Sequence, residues 1–415
     1  MNQEYRQYQK AIEDFVRGNL NGVLKQPRSF IRYPFIDPGS VYDGNVWDWD
    51  TYWSVYGLLG MADRLTAEEN ARILLHAKGN VLNFLDHQLE DGYIPMMIEV
   101  AKWPEPYLNM KHKEGVLMNM HKPFLCQQIQ LISSHAHDYG WIKSFVSQLE
   151  RYFDCYDRNY FFENCGLYVW CDDIMIGMDN DPATFGRPKF STANIFLNSF
   201  MAEELRCMAL ILEAAGQKDR AEHYNAKRAA LIEATQRECW DKRDQFFYSV
   251  DVDIKTRTFD WFHQGLGVFW KTLPIKVRVW SGFIPLWAGM ATAEQAQALA
   301  KHAFDESTFA SPYGIATLAK DEKMFDLSVT NNPSNWLGPI WVVANYVVFK
   351  GLMRYGFMKE AQAICEKTLL LLGRDLMESG SLHEYYDPFT GKPIMNGGFI
   401  NWNVLALNMA RELDK

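Results

Sequence analysis

The sequence lacks any hydrophobic run long enough to cross a membrane, since no apolar stretch approaches the roughly 20 residues of a transmembrane helix. It also lacks an excess of basic residues, with 42 Lys and Arg against 51 Asp and Glu and a formal net charge of −9. Binding to nucleic acid or to an anionic membrane depends on a positively charged surface. We therefore expect neither a nucleic acid nor a membrane as a partner.

Paired-cysteine motifs are absent as well. The seven cysteines are odd in number and scattered, with no CxxC pair. The opening segment MNQEYRQYQKAIEDFV is charged and amphipathic, unlike a secretory signal with its basic start and apolar centre. We expect reduced thiols in a cytoplasmic protein.

Several signatures of catalytic and cofactor sites are missing: G-x-S-x-G, the P-loop, H-E-x-x-H and G-x-G-x-x-G. His135 and His137 have the spacing of a metal-binding pair, but they lie at a predicted helix C-terminus, where the helix dipole favours cationic side chains. A structural role is the expectation for both. We expect no cofactor and no bound metal.

Internal periodicity is present instead. Six segments rich in Ala, Leu, Glu and Lys recur at intervals of about 70 residues, starting near Gln3, Thr66, Tyr139, Gln217, Thr292 and Phe357. Two of these starts, Thr66 with Glu69 and Thr292 with Gln295, have the spacing of a capping box. The pattern predicts six half-exposed helices.

Each of these helices is followed by a connection rich in Gly, Pro, Asp, Trp and Tyr, and then by a more apolar helix. The apolar helices are predicted at 51–61, 122–137, 191–214, 277–290, 334–354 and 399–412. Six outer and six inner helices that close into a ring make an all-α (α/α)6 barrel, or toroid, forming a single domain over residues 1–415. An open helical solenoid is the alternative.

The first connection, residues 41–53, holds three acids and three tryptophans. Aromatic rings beside carboxylates suit a sugar, whose C–H face stacks on a ring while its hydroxyls donate to carboxylates. Candidate contacts are Tyr42, Trp47, Asp50 and Trp53. The alternative makes Asp50 the N-cap of a helix that begins at Thr51, with the tryptophans in the core.

The third and sixth connections carry isolated acids. Four Asp lie between Asp172 and Asp181, without the spacing of a calcium loop. Glu384 stands alone among aromatic residues. Because the third and sixth units of a ring of six lie opposite each other, these acids can face one another across the cavity mouth, as in a glycosidase with two carboxylates.

In these connections the sequence resembles family 63 of the glycoside hydrolases and, more distantly, the trehalases of family 37. The motifs that carry the resemblance are Trp47-Asp48-Trp49-Asp50, Gly177-Met178-Asp179-Asn180-Asp181-Pro182, Asn335-Trp336-Leu337-Gly338-Pro339-Ile340-Trp341 and Glu384-Tyr385-Tyr386-Asp387-Pro388, followed by Phe399-Ile400-Asn401-Trp402. Single-domain members of this length resemble the mannosylglycerate and glucosylglycerate hydrolases.

The resemblance implies an (α/α)6 barrel, inversion at the anomeric carbon, Asp179 as general acid and Glu384 as general base, with carboxyls roughly 6.5–9.5 Å apart. It also suggests Trp47, Asp50, Trp336 and Trp402 around the terminal sugar. Trehalases keep an arginine closer to the acid than Arg187 lies here. The further candidate contacts are His121, Lys122, Gln127, Trp170, Gly177, Asn180, Arg187, Trp341 and Tyr385.

The leading hypothesis is an inverting exo-α-glycosidase for a small-molecule glycoside, glucosylglycerate or mannosylglycerate. The basic second connection, Trp103 through Lys113 to His121-Lys122-Pro123, would bind an anionic leaving group unless its lysines are merely solvated. Three alternatives remain: an α-glucosidase for trehalose or kojibiose, a sugar epimerase using His263 and His383, and a non-catalytic glycan-binding toroid.

Overall fold

The computed structural model describes residues 3–42, 44–98, 112–113, 116–117, 120–254, 270–328 and 334–414. Within these residues the chain forms twelve α-helices. The outer helices are α1 (Gln3–Val23), α3 (Ala67–Asp86), α5 (Val146–Tyr160), α7 (Lys218–Cys239), α9 (Ala293–Ala303) and α11 (Met358–Ser379). The inner helices are α2 (Asp48–Gly60), α4 (Leu125–Ala136), α6 (Ile195–Ala214), α8 (Ile284–Trp287), α10 (Val342–Arg354) and α12 (Leu405–Leu413).

The inner helices form a closed ring. Each contacts the next along the chain, and α12 packs against α2, while α1 also packs against α11 on the outside. An open solenoid leaves its first and last units apart, so that alternative is wrong. The predicted all-α (α/α)6 toroid is confirmed.

Five of the six outer helices begin within one residue of the start that the repeat predicts. The exception is α5, predicted near Tyr139, which begins at Val146 after a 3₁₀ turn over Gly140–Phe145. Both capping boxes form: the backbone N–H of Glu69 donates to Thr66 Oγ1 at 3.1 Å, and that of Thr66 donates to Glu69 Oε2 at 2.7 Å. The N–H groups of Gln295 and Thr292 make the same pair of bonds at 3.2 and 2.8 Å. These bonds satisfy backbone donors that the first turn of a helix leaves open.

The inner helices depart from prediction at their starts. Helix α2 begins at Asp48, and its N-cap position is Trp47, so the interpretation of Asp50 as N-cap is wrong. Helix α10 begins well after residue 334, because Gly338 with φ +132° and Pro339 interrupt the helix there. Helix α8 is four residues long and follows a 3₁₀ turn over Trp280–Phe283.

Short antiparallel strands lie in the connections between the helices. Seven two-stranded pairs and one three-stranded sheet, in which Val250–Asp251 lies between Thr192–Ala193 and Leu273–Pro274, occur in the described residues. The strands are β1 (Leu24–Lys25), β2 (Phe35–Ile36), β3 (Val46–Trp47), β4 (Met97–Ile98), β5 (His112–Lys113), β6 (Val116–Leu117), β7 (Phe161–Phe162), β8 (Leu167–Tyr168), β9 (Thr192–Ala193), β10 (Trp240–Asp241), β11 (Phe246–Phe247), β12 (Val250–Asp251), β13 (Leu273–Pro274), β14 (Ala310–Ser311), β15 (Gly314–Ile315), β16 (Tyr385–Tyr386) and β17 (Pro393–Met395).

The centre of the ring is filled by aromatic side chains. Trp53 is fully buried there, with its ring 5.6 Å from that of Trp287 and 6.2 Å from that of Phe200. The seven cysteines all lie in described segments, where they are buried and form no disulfide. Across the described part of the chain, no helix has the length and apolar character that crossing a membrane requires.

Candidate active site

The connections that precede the inner helices enclose a cavity of about 310 Å³. This volume lies at the small end of the range for small-molecule sites. Its walls come from the N-terminal side of α2, α4, α6, α10 and α12. The lining residues are Tyr42, Trp47, Trp49, Asp50, Met96, Lys122, Asp173, Ile174, Gly177, Asp179, Phe185, Ser334, Trp336, Trp341, Glu384 and Trp402.

Many of the candidates from the sequence meet at this cavity. They are Tyr42, Trp47, Asp50, Lys122, Gly177, Asp179, Trp336, Trp341, Glu384 and Trp402. They come from five connections that are far apart along the chain. The closed ring is what brings them together.

Other candidates lie behind the cavity wall. Trp53 belongs to the aromatic core, and Gln127 donates its side-chain amide to the carbonyls of Pro123 and Phe200. His121 and Trp170 are 0% and 1% exposed. None of these four side chains is among the lining residues of the cavity. Their direct contact with a sugar stays a prediction.

Three more candidates support the site from outside its lining. Asn180 accepts the backbone N–H of Trp336 at 2.7 Å and so joins the third connection to the fifth. Tyr385 stacks on Trp341 at 4.7 Å between ring centroids. Arg187 forms an ion pair with Asp251 at 2.5 Å, which occupies its guanidinium away from the cavity.

Glu384 is held at two points. The hydroxyl of Tyr42 donates to Oε1 at 2.9 Å, and the amide of Asn396 donates to Oε2. Burial raises the pKa of Glu384 to about 7, with a smaller upward contribution from the charge of Asp179, while the two donors pull it down. A carboxyl with this pKa changes its charge near neutral pH.

Asp50 lies at the start of α2 and is 7% exposed. The side-chain amide of Asn401 donates to its Oδ1 at 2.7 Å. Burial, together with the nearby charge of Asp48, raises the pKa of Asp50 to about 8. A protonated Asp50 can donate a hydrogen bond as well as accept one.

Lys122 and Asp48 form a buried ion pair at the cavity floor. Their side chains are 1% and 0% exposed, and Nζ lies 2.8 Å from Oδ1 of Asp48. A Cβ placed on Gly177, whose φ is +77°, would come within 3.3 Å of both Lys122 Nζ and Trp49 Nε1. Glycine at this position therefore leaves room for the Lys122 ammonium and the Trp49 indole N–H, which a side chain would crowd.

Stacked aromatic rings form one wall of the cavity. Trp336 and Trp341 stack with centroids 3.8 Å apart and planes 12° from parallel, and Tyr385 extends the stack. Trp49 and Trp402 lie beside it, with centroids 5.6 Å apart. Such faces bind the C–H surface of a sugar ring.

Sequence reasoning missed part of the lining. Trp49 and Asp173 lie inside the aromatic and acidic motifs, so residue density was the signal that could have found them. Met96, Ile174, Phe185 and Ser334 carry no such signal, because single apolar or hydroxyl residues are common throughout the chain. Among the described residues, no group of three or more His, Cys, Asp or Glu side chains could hold a metal ion.

The histidine candidates and the basic second connection before His121 do not contribute to the described cavity lining. Nδ1 of His383 lies 2.8 Å from Oδ2 of Asp375, and His383 does not line the cavity. His263 and most of the segment from Trp103 to Lys113 lie outside the described residues. His135 and His137 lie at the C-terminus of α4, as predicted.

A family model described as the mannosylglycerate hydrolase MGH1-like glycoside hydrolase domain matches residues 43–402. The chain belongs to this family. The resemblance to glycoside hydrolase family 63 is thereby confirmed. The match covers all sixteen lining positions except Tyr42, so the cavity lies within the glycoside hydrolase domain.

The chain is similar in sequence to characterised and probable glycoside hydrolases. Mannosylglycerate hydrolase MGH1 of Selaginella moellendorffii is 32% identical over 166 residues, which are 39% of this chain and 30% of that protein. A probable mannosyl-oligosaccharide glucosidase of Schizosaccharomyces pombe is 24% identical over 282 residues, 66% of this chain and 31% of that protein. The aligned parts thus span less than a third of either relative.

Among solved structures, the glycoside hydrolase family 63 mannosylglycerate hydrolase from Thermus thermophilus, in complex with Tris and D-glycerate, has a TM-score of 0.69. The match covers 97% of this chain and 100% of that one at 19% identity. At that identity the likeness shows the fold, in agreement with the closed ring of inner helices.

Proposed function

We propose that this chain is an inverting exo-α-glycosidase for a small α-glucoside or α-mannoside and that residues 1–415 form one catalytic domain. The observation that carries the proposal is the convergence of Asp179 and Glu384 on one small cavity beside a wall of stacked tryptophans. Two carboxyls and an aromatic platform are the groups that glycoside hydrolysis uses.

In the proposed reaction, Asp179 protonates the glycosidic oxygen as the bond to the anomeric carbon breaks. Glu384 accepts a proton from a water molecule that attacks the same carbon from the opposite face. The products are the leaving alcohol and a free sugar of inverted anomeric configuration. Because Glu384 must be ionised to accept the proton and its pKa is about 7, kcat/KM rises through neutral pH.

Glucosylglycerate and mannosylglycerate are the proposed substrates. The family description and the relatives named as mannosylglycerate hydrolases support this choice. The related structure in complex with Tris and D-glycerate supports glycerate as the leaving group.

A neutral α-linked glucose disaccharide such as trehalose or kojibiose is the second candidate. The cations of the described lining favour it: Lys122 is the single cation among these residues, and it is already paired with Asp48. A carboxylate on the leaving group gains less from a cation that is already neutralised.

Proton NMR on a substrate panel tests both candidates. Glucosylglycerate, mannosylglycerate, trehalose and kojibiose are incubated with the enzyme, and the first anomer released is recorded. The β-anomer appearing first supports inversion and identifies the substrate. The α-anomer appearing first contradicts inversion, and release from none of them contradicts the substrate class.

Two variants test the roles of the carboxyls. We expect Asp179→Asn and Glu384→Gln each to lower kcat by at least about a hundredfold, because general acid and base contribute typically 10²–10⁴-fold each. Glu378→Gln, an exposed glutamate on α11, is the matched control and keeps full activity. Full activity in either test variant removes that residue from the mechanism.

A further inference from the structure

The hairpin that carries Glu384 places one unassigned residue directly against it. Strands β16 and β17 pair Tyr385 with Met395, so the next residues outward, Glu384 and Asn396, oppose each other. The backbone N–H of Glu384 donates to the carbonyl of Met395 at 3.2 Å. Asn396 therefore reaches the Glu384 side chain through strand register alone.

The backbone of Asn396 is in the left-handed region, with φ +54°. Residues other than glycine adopt this conformation at an energetic cost, which is smallest for Asn and Asp. Unusual backbone conformations of this kind are often retained at functional sites. Asn396 is half-buried and does not line the cavity, so its action has to pass through Glu384.

The Glu384 carboxylate receives one donor on each oxygen, from Tyr42 on Oε1 and from Asn396 on Oε2. An ionised carboxylate only accepts hydrogen bonds, which requires the amide of Asn396 to present its N–H side. Within the described residues, Asn396 is the only side chain that donates to Oε2. Two donors from separate elements fix the rotation of the carboxylate about its terminal bond.

We propose that Asn396 is a positioning residue for hydrolysis, holding Oε2 so that the Glu384 carboxylate faces the attacking water. This rests on the proposed role of Glu384 as general base. A general base has to lie within hydrogen-bond reach of the proton it accepts, so a small rotation of the carboxylate slows the transfer.

The turn that carries Asn396 is held independently of Glu384. The hydroxyl of Ser40 donates to the carbonyl of Gly397 at 2.9 Å, and the backbone N–H of Gly398 donates to Ser381 Oγ at 2.8 Å. Truncating the Asn396 side chain therefore leaves the turn in place.

The groups that act electrostatically on Glu384 come from several elements. Asp179 raises its pKa, and Asn396 and Tyr42 lower it. Asp50, from α2, and Tyr385, the next residue, also interact with its charge. Removal of Asn396 leaves the upward influences less opposed, so the pKa of Glu384 rises.

Asn396→Gly tests the proposal, because glycine accepts φ +54° without strain and carries no amide. We expect kcat to fall about tenfold or more, through loss of a hydrogen bond to a charged group. We expect KM to change by less than about twofold, because the side chain does not touch the cavity. The acid limb of the kcat–pH profile should move about one pH unit upward, the shift that corresponds to a tenfold change in the ionisation of the base.

Two companion variants sharpen this test. Asn396→Asp keeps the shape and the backbone preference but brings a negative charge instead of a donor, so its acid limb should move further than that of Asn396→Gly. Gln245→Gly is the matched control: Gln245 has φ +53° in the exposed turn between β10 and β11. It should leave kcat and the pH profile unchanged.

An Asn396→Gly enzyme with normal kcat, or with a lower kcat and an unmoved acid limb, overturns the proposal, since a merely structural role predicts the second result. Failure of the proposed function is distinguished by Glu384→Gln. If that variant stays active, the base is wrongly assigned. If it is inactive while Asn396→Gly behaves as wild type, only the positioning role is wrong.

Discussion

At the residue scale, the short run from Trp47 to Trp53 shows how neighbouring side chains divide between cavity and core. Trp47, Trp49 and Asp50 line the cavity, Asp48 pairs with Lys122 beneath it, and Trp53 fills the centre of the ring. The residue types predicted a sugar site in this run. They could not assign the individual roles, because those depend on which neighbours the closed ring brings against each face of α2.

The Asp48–Lys122 ion pair is a further feature of this scale. Asp48 accepts the ammonium of Lys122, the backbone N–H of Lys122 at 2.7 Å and that of Trp49 at 2.7 Å. Both side chains are almost fully buried, so neither charge can recover hydration when its partner is lost. The pair ties the first connection to the start of α4.

Lys122→Met should lower the free energy of unfolding by about 3–5 kcal/mol, because it leaves a buried carboxylate without its cation. Urea denaturation measures the loss. The double variant Asp48→Asn/Lys122→Met should recover most of it, since no unpaired charge remains. A double variant as unstable as the single one would show that packing of the lysine chain, rather than charge, carries the effect.

At the element scale, helix starts differ in how far the local sequence determines them. The N-termini of α3 and α9 are capped by residues within their own first turns, and the capping-box spacing predicted both. Helix α4 has no side-chain cap of its own. Its first-turn N–H groups, from Cys126 and Gln127, donate to Glu204 of α6 at 2.6 and 3.0 Å. A cap supplied by another helix leaves no local signal.

Thr66→Ala should cost about 1 kcal/mol of stability, because the N–H of Glu69 loses its acceptor. Thr66→Ser keeps the hydroxyl and should be close to neutral. Thr292→Ala, at the second capping box, should give a loss of similar size. Chemical denaturation of the three variants measures these differences, and equal stability of Thr66→Ala and wild type would contradict the capping interpretation.

At the scale of the whole molecule, ring closure creates the cavity. Asp179 and Glu384 are more than two hundred residues apart in a chain of 415, yet both face the same small space. Closure also buries carboxyl groups deeply. Burial raises the pKa of four of them, to about 8, 6, 8 and 7 for Asp50, Asp181, Glu204 and Glu384.

These raised pKa values predict how stability depends on pH. In the unfolded chain the four groups titrate near pH 4, so between about pH 4 and 8 the folded protein binds protons that the unfolded chain has released. Their contribution to stability is complete below about pH 4 and declines as pH rises to about 8. We expect the free energy of unfolding, measured by urea titration, to fall between about pH 5 and pH 8.

A substitution at Glu204 checks whether the raised pKa values of buried carboxyls cause this pH dependence. Glu204→Gln keeps an acceptor for the first turn of α4 but cannot titrate, so the decline between about pH 5 and 8 should become shallower. Glu378→Gln on the surface should leave the decline of the unfolding free energy with pH unchanged. Glu69 acts in the opposite direction: its hydrogen bonds lower its pKa, so its contribution is lost only on acidification below about pH 4. If Glu204→Gln shows the same slope of unfolding free energy against pH as wild type, the prediction for Glu204 is contradicted.

The sequence by itself determined the count of helices, most outer-helix starts, the all-α toroid and the connections that line the cavity. Periodicity, capping boxes and acid-aromatic density are local properties, and each can be read along a single stretch of chain.

Only the tertiary structure decided which residues of those connections face the cavity. It leaves Trp53, Gln127, His121 and Trp170 out of the cavity lining and pairs Arg187 with Asp251. It also placed Asn396 against Glu384. These outcomes depend on contacts between segments distant in the chain, and such contacts are fixed by closure of the ring rather than by local preference.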